Sequence, residues 1–101
     1  MKRYSIYITY EAIRDINVVY HYIKEILMFP VTADNYVYGI LYTIKGLATT
    51  AGIYAFTQSG YIQSLYGSES RTVRYKKMVI IYNTVEEKVI IRRVIAGSLI
   101  R

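Results

Sequence analysis

At 101 residues the chain has room for one sizeable hydrophobic core and not for two. It contains no cysteine, which excludes disulfides, thiol nucleophiles and thiolate metal sites, and its lone histidine, His21, leaves little with which to hold a transition metal. Thirteen Lys and Arg against seven Asp and Glu give a net charge of +6, a balance suited to a polyanionic or acidic partner. Neither a metal nor a cofactor is expected.

The hydrophobic fraction is 53%, yet no apolar run approaches the roughly 18 residues of a membrane span. Lys2, Arg3 and Tyr4 lead straight into alternating sequence with no apolar leader core, so a cytoplasmic location is expected. In residues 4–9, Tyr4, Ile6 and Ile8 fall on one side, the period of a half-buried strand. Thr9 can cap a following helix, and Glu11 suits its first turn. Ile13, Ile16, Tyr20, Ile23 and Leu27 then recur at three- and four-residue spacing, predicting a helix over 10–28.

Pro30 turns the chain. Thr32 offers a second N-cap, and Ala33, Val37, Ile40, Ile44 and Leu47 form a second helical stripe. So short a connection predicts an antiparallel helical hairpin. Residues 48–70 lose this periodicity among Thr, Gly, Ser and Gln. Apart from a short strand allowed at 53–56, they read as a long surface loop, either a binding element or an insertion without a role.

Three strands follow, at 71–75, 78–83 and 88–96, separated by the Lys76 and Lys77 pair and by an acidic turn at 84–87. Met78, Val79, Ile80 and Ile81 are apolar at successive positions, so that strand has both faces covered or turns its second face into a cleft. The order β-α-α-β-β-β gives an α+β class, one domain over 1–101 with a helical hairpin packed on a mainly antiparallel sheet.

Seven of the thirteen basic residues lie between positions 71 and 96, which makes the sheet surface the candidate working part. Arg71, Arg74, Lys76, Lys77, Arg92 and Arg93 are the candidates for binding a target or nucleic acid. Regular alternation groups Arg92 with Lys88, Ile90, Val94 and Ala96, and Arg93 with Val89, Ile91 and Ile95, so the two would not share a surface. His21 reads as an exposed helix residue.

The element order and several short motifs together resemble the RelE/ParE superfamily of toxins from type II toxin-antitoxin modules. The matching pieces are A-x-x-D (Ala12, Asp15), Tyr22 with Ile23, Pro30 followed by Ala33, and I-x-x-L (Ile44, Leu47). The C-terminal part adds R-x-V-x-Y (Arg71, Val73, Tyr75), I-I-Y (Ile80, Ile81, Tyr82), V-x-I-x-R (Val89, Ile91, Arg93) and G-S (Gly97, Ser98). The resemblance implies a small cytoplasmic toxin neutralised by a cognate antitoxin whose tail wraps it. It implies one of two targets: DNA gyrase, poisoned by ParE-like members, or the ribosome with its mRNA, which RelE-like members cut.

For a nuclease, the resemblance nominates Arg71, Arg74, Tyr82 and Arg93 as catalytic groups acting without a metal. The chain departs from that pattern. Ala96 stands where many relatives have His or Tyr, Leu99 where they have Arg, and the arginine of the middle strand falls near Met78 or Val79. These departures favour the gyrase-directed activity, with RNA cleavage or a silent toxin as alternatives.

Overall fold

The computed structural model describes residues 2–100. Strand β1 (Ser5–Ile8) ends at Thr9, whose hydroxyl accepts a hydrogen bond from the Ala12 amide at 3.2 Å and donates one to the Ile91 carbonyl at 2.7 Å. The first contact caps helix α1 (Tyr10–His21); the second fixes its start against the sheet. The helix continues as a π-helical turn over Tyr22–Ile26, and the chain reverses at Met28, at a φ of 61°.

Helix α2 (Pro30–Thr50) begins two residues before the expected cap at Thr32. Pro30 takes the first helical position, where its missing N–H removes no intrahelical bond and its ring presets φ. Ala33, Ile40, Ile44 and Leu47 are buried and Val37 packs on the core, as the spacing predicts. On α1 the stripe is different: Ala12 and Ile16 are buried and Val19 packs on the core, whereas Ile13 and Leu27 are exposed. Ala12 adds little hydropathy to a pattern, yet it lies fully buried where Thr9 draws the helix onto the sheet.

Strands β2 (Arg71–Tyr75), β3 (Met78–Val85) and β4 (Lys88–Ala96) form an antiparallel meander, and β1 joins parallel to β4, giving the order β1-β4-β3-β2. The helical hairpin lies on one face of this mainly antiparallel sheet, in agreement with the expected α+β architecture. The Tyr75 ring of β2 lies directly over Gly39 of α2, where a Cβ would fall 2.0 Å from the hydroxyl and force the ring aside. Both meander turns place their first residue, Lys76 or Glu86, at positive φ, as tight hairpins require.

Strand β3 is covered on both sides. Met78, Ile80 and Tyr82 face the hairpin, and Val79 and Ile81 face the opposite way. The cover on that second side comes from the segment expected to be a loop. Helix α3 (Gly60–Tyr66) starts at Ser59, whose hydroxyl accepts from the Ile62 amide at 3.2 Å, and sets the buried Ile62 on Val79 and Ile81. Two helical turns are too few to leave a readable period. Of the strand allowed at 53–56, a single bridge between Phe56 and Arg71 is present. After β4 the chain makes a 3-10 turn over Gly97–Leu99, and Ile100 packs against the α3-side cluster.

Replacing Ile62 with Ala is expected to lower stability by roughly 2–4 kcal/mol, because it empties the centre of the α3 contact. Urea denaturation reads the loss directly. A change below about 0.5 kcal/mol would mean that α3 does not pack on the sheet.

Candidate functional site: the basic sheet

Regular alternation along β4 breaks at Arg92. Ile91 pairs with Tyr82 and Arg93 pairs with Ile81, leaving Arg92 as an extra, bulged residue. Burial shows the effect: Val89 and Ile91 before the bulge and Val94 after it all lie in the core beneath the hairpin, whereas Ile95 packs beside Val79 and Ile81. Arg92 and Arg93 therefore both leave the strand on the α3 face. The expected separation of the two is corrected, and the cause is a single inserted residue.

Their surroundings differ. Arg92 donates its Nε–H to Asn83 Oδ1 at 2.7 Å, and the Asn83 amide nitrogen donates to Ser70 Oγ at 3.1 Å and to the Tyr66 carbonyl at 3.3 Å. Arg93 makes a two-pronged pair with Asp15, Nε to Oδ2 at 2.6 Å and Nη2 to Oδ1 at 3.0 Å. Asp15 Oδ2 also accepts the Val94 amide at 2.9 Å. Because β1 pairs only as far as Ile91, this carboxylate supplies an acceptor where the edge of β4 has no strand neighbour. Asp15 is the main influence raising the Arg93 pKa above its already high ordinary value; burial opposes it, and a hydrogen bond with Tyr66 adds to it. Arg93 is thus a cation held in place by its partner.

Arg74 also belongs to the α3 face, opposite Val79 in the register. Its guanidinium passes so close over Gly97 that a Cβ there would lie 2.8 Å from Nη1. It is exposed and has no hydrogen-bond partner among the described residues.

Arg71 and Tyr82 lie on the hairpin face, directly opposite one another in the register. Arg71 donates to the Tyr54 carbonyl at 2.7 Å and to Thr84 Oγ1 at 3.0 Å, and it stacks 4.3 Å from the Phe56 ring centroid. It anchors the chain that follows α2. Tyr82 is fully buried, and its hydroxyl donates to the Ala51 carbonyl at 2.7 Å. Burial pushes its pKa well above the ordinary tyrosine value, with the Arg71 charge as a smaller opposing effect. The expected proton donor at Tyr82 therefore lies in the core with its hydroxyl engaged.

Lys76 and Lys77 sit exposed in the β2–β3 turn, with Lys76 Nζ 5.7 and 5.6 Å from the ring centroids of Tyr36 and Tyr75. The six candidate cations consequently do not form one surface. Arg74, Arg92 and Arg93 share the α3 face, Arg71 is behind the sheet, and the lysines occupy one end. His21 is exposed on α1 and pairs with Glu25 at 2.6 Å. Sequence reasoning missed Asn83, Ser70 and Tyr66 altogether. Asp15 was visible as part of a motif, but its partner lies 78 positions away.

No family model and no curated protein matches this sequence. Among solved structures, the chain superposes on one from the chromosomal ParDE toxin-antitoxin system of P. aeruginosa with a TM-score of 0.75 at 22% identity, over 93% of this chain and 96% of that one. It also superposes on a chain of the RelBE2 toxin-antitoxin complex of Mycobacterium tuberculosis, with a TM-score of 0.61 at 15% identity, over 97% and 95%. The fold is that of the chains matched in these ParDE and RelBE2 structures. Within this fold, the A-x-x-D piece of α1 and the V-x-I-x-R piece of β4 meet in space as the Asp15–Arg93 pair.

Asp15→Ala and Arg93→Ala are each expected to cost roughly 1–2 kcal/mol, less than a buried pair would, since the Arg93 side chain is 36% exposed. The double variant should lose less than the sum of the two; strictly additive losses in denaturant titrations would rule out coupling. Tyr82→Phe leaves the Ala51 carbonyl without its donor and should cost about 1 kcal/mol at neutral pH. Because the folded-state pKa of Tyr82 lies above the unfolded value of 10.0, its contribution is full below that pH and is lost as pH rises towards the folded pKa. Stability measured between pH 9 and roughly 12 should therefore fall less steeply in the variant than in the parent chain, and parallel curves would refute the assignment.

Proposed function

We propose that the chain is the toxin of a type II toxin-antitoxin module, neutralised by a cognate antitoxin protein, and that it acts as ParE-like toxins do, by poisoning DNA gyrase. Metal-free cleavage of RNA asks for a base at the 2′-OH, cations at the phosphate and an acid at the leaving oxygen. The observation that carries the reading is what has become of the nominated groups: Tyr82 is inside the core, Arg93 is tied to Asp15, and Arg71 holds the segment after α2. The only histidine lies on α1, paired with Glu25.

Gyrase poisoning and antitoxin capture ask only for surfaces that fit a protein. The hairpin carries many exposed large apolar residues, among them Ile26, Met28, Val31 and Tyr42, which supports a protein partner on that side. No helix among the described residues is long and apolar enough to cross a membrane, and both candidate targets work in the cytoplasm. Ribosome-dependent mRNA cleavage is the competing reading, favoured by the exposed Arg74 on the same face as Arg92.

Purified chain at saturating concentration is expected to block supercoiling by DNA gyrase, and to leave a defined messenger intact in a reconstituted translation system. Ribosome-dependent cuts together with normal supercoiling would replace this reading with the RelE-like one. Failure of both assays, with no growth arrest on expression, would identify a silent toxin.

A further inference from the structure

A cleft beneath the C-terminal end of α3 is bordered by Ser68, Glu69, Asn83, Val85 and Arg92. We propose that it receives a single carboxylate side chain from a protein partner, with Arg92 as the binding group and Asn83 as the residue that aims it. Arg92 Nε is held by Asn83 Oδ1 at 2.7 Å. Asn83 is in turn fixed through its amide nitrogen by Ser70 Oγ at 3.1 Å and the Tyr66 carbonyl at 3.3 Å. Ser70 is fully buried and donates to the Gly67 carbonyl at 2.8 Å. The guanidinium is thus oriented before any ligand arrives, and less side-chain freedom remains to be lost on binding. Its two terminal nitrogens have no hydrogen-bond partner among the described residues. A planar fork of this kind matches a carboxylate through two parallel N–H···O bonds.

The number of available charges selects a carboxylate over a nucleic acid. A polynucleotide presents successive phosphates and binds through several cations at once. At this cleft Arg93 is engaged by Asp15, and Arg71, across the sheet, by Tyr54 and Thr84, while the unpaired Arg74 stands over Gly97 beside Val79, four residues along β3 from Asn83 and outside the cleft lining. One oriented cation beside the half-exposed Val85 suits one acidic residue next to an apolar one. The β-bulge is what brings Arg92 to this place. The cleft's chemistry does not depend on which target the toxin has; the antitoxin enters only as the protein expected to supply the acidic residue.

The test uses the full ¹⁵N-labelled chain at low ionic strength, titrated separately with the blocked tripeptide Ac-Val-Glu-Val-NH2, its glutamine analogue and a short oligouridylate. The glutamate peptide is expected to shift the Arg92 Nε–H resonance and the Ser68 and Val85 amides saturably, with a dissociation constant on the order of 1 mM. The glutamine peptide should bind at least about tenfold more weakly, since it lacks the charge that strengthens the hydrogen bonds. Arg92→Gln should abolish the shifts, Arg92→Lys should restore them only in part, and Asn83→Ala should weaken binding several-fold without abolishing it. Equal binding of the two peptides, shifts confined to other regions, no shifts at all, or tighter binding of the oligouridylate in the cleft would each overturn the proposal. These readouts on the wild-type chain stand apart from the supercoiling assay, so either conclusion can fail without the other.

Discussion

The Asp15 carboxylate joins parts of the chain that lie 78 positions apart, and much of the local architecture depends on it. Strand β1 stops pairing at Ile91, so the next stretch of β4 has a free edge at the point where the bulge interrupts its other ladder. An unpaired amide there would carry a desolvation cost of about 1–3 kcal/mol. Asp15 accepts it and also takes both prongs of Arg93. The same contacts orient α1 across the sheet edge, next to the capping contact made by Thr9. Helix, strand edge and bulge therefore form one local unit.

That unit also decides which charges remain for function. A net charge of +6 suggests a basic surface, but charge in the sequence is not charge available at a surface. Arg93 and Arg71 are engaged in holding the fold, through Asp15 in one case and Tyr54, Thr84 and Phe56 in the other. Arg74 and Arg92 retain donors that no described residue uses, Arg74 lying over Gly97 and Arg92 aimed by Asn83. Removing either of the first pair takes away contacts that hold the fold, whereas the second pair carries the unpaired donors on which the proposed binding rests. A charge-reversal scan that measured activity alone would confuse the two.

Most of the fold was legible because its long elements repeat their signals. The α2 stripe from Ala33 to Leu47 spans four turns, and the doubly apolar 78–81 run announced a strand covered on both sides. What covered the second side was not legible, since α3 has seven residues and one buried side chain, Ile62. Arg92 and Arg93 were placed on opposite faces because period two is the only rule a strand sequence offers. A bulge leaves no mark in residue types, and here it shows only in the spacing of the core residues, Val89, Ile91 and then Val94. Tyr82 could not be separated from an accessible tyrosine by sequence, because its burial is set by Ala51 at the end of another element.

A fold does not dictate an activity, and a nuclease and a binding protein would use the sheet's polar groups differently. A nuclease must leave cations and a proton-transfer group unpaired and facing a common point, which lowers stability at the site. This chain does the reverse at three of the four nominated positions: it buries Tyr82, pairs Arg93 and makes Arg71 an anchor. It keeps a wide apolar exposure on the hairpin instead. With Tyr82 buried, Arg93 paired and Arg71 anchoring, the largest unsatisfied surface left on the described residues is apolar and lies on the hairpin, and an apolar surface is covered at least cost by another protein.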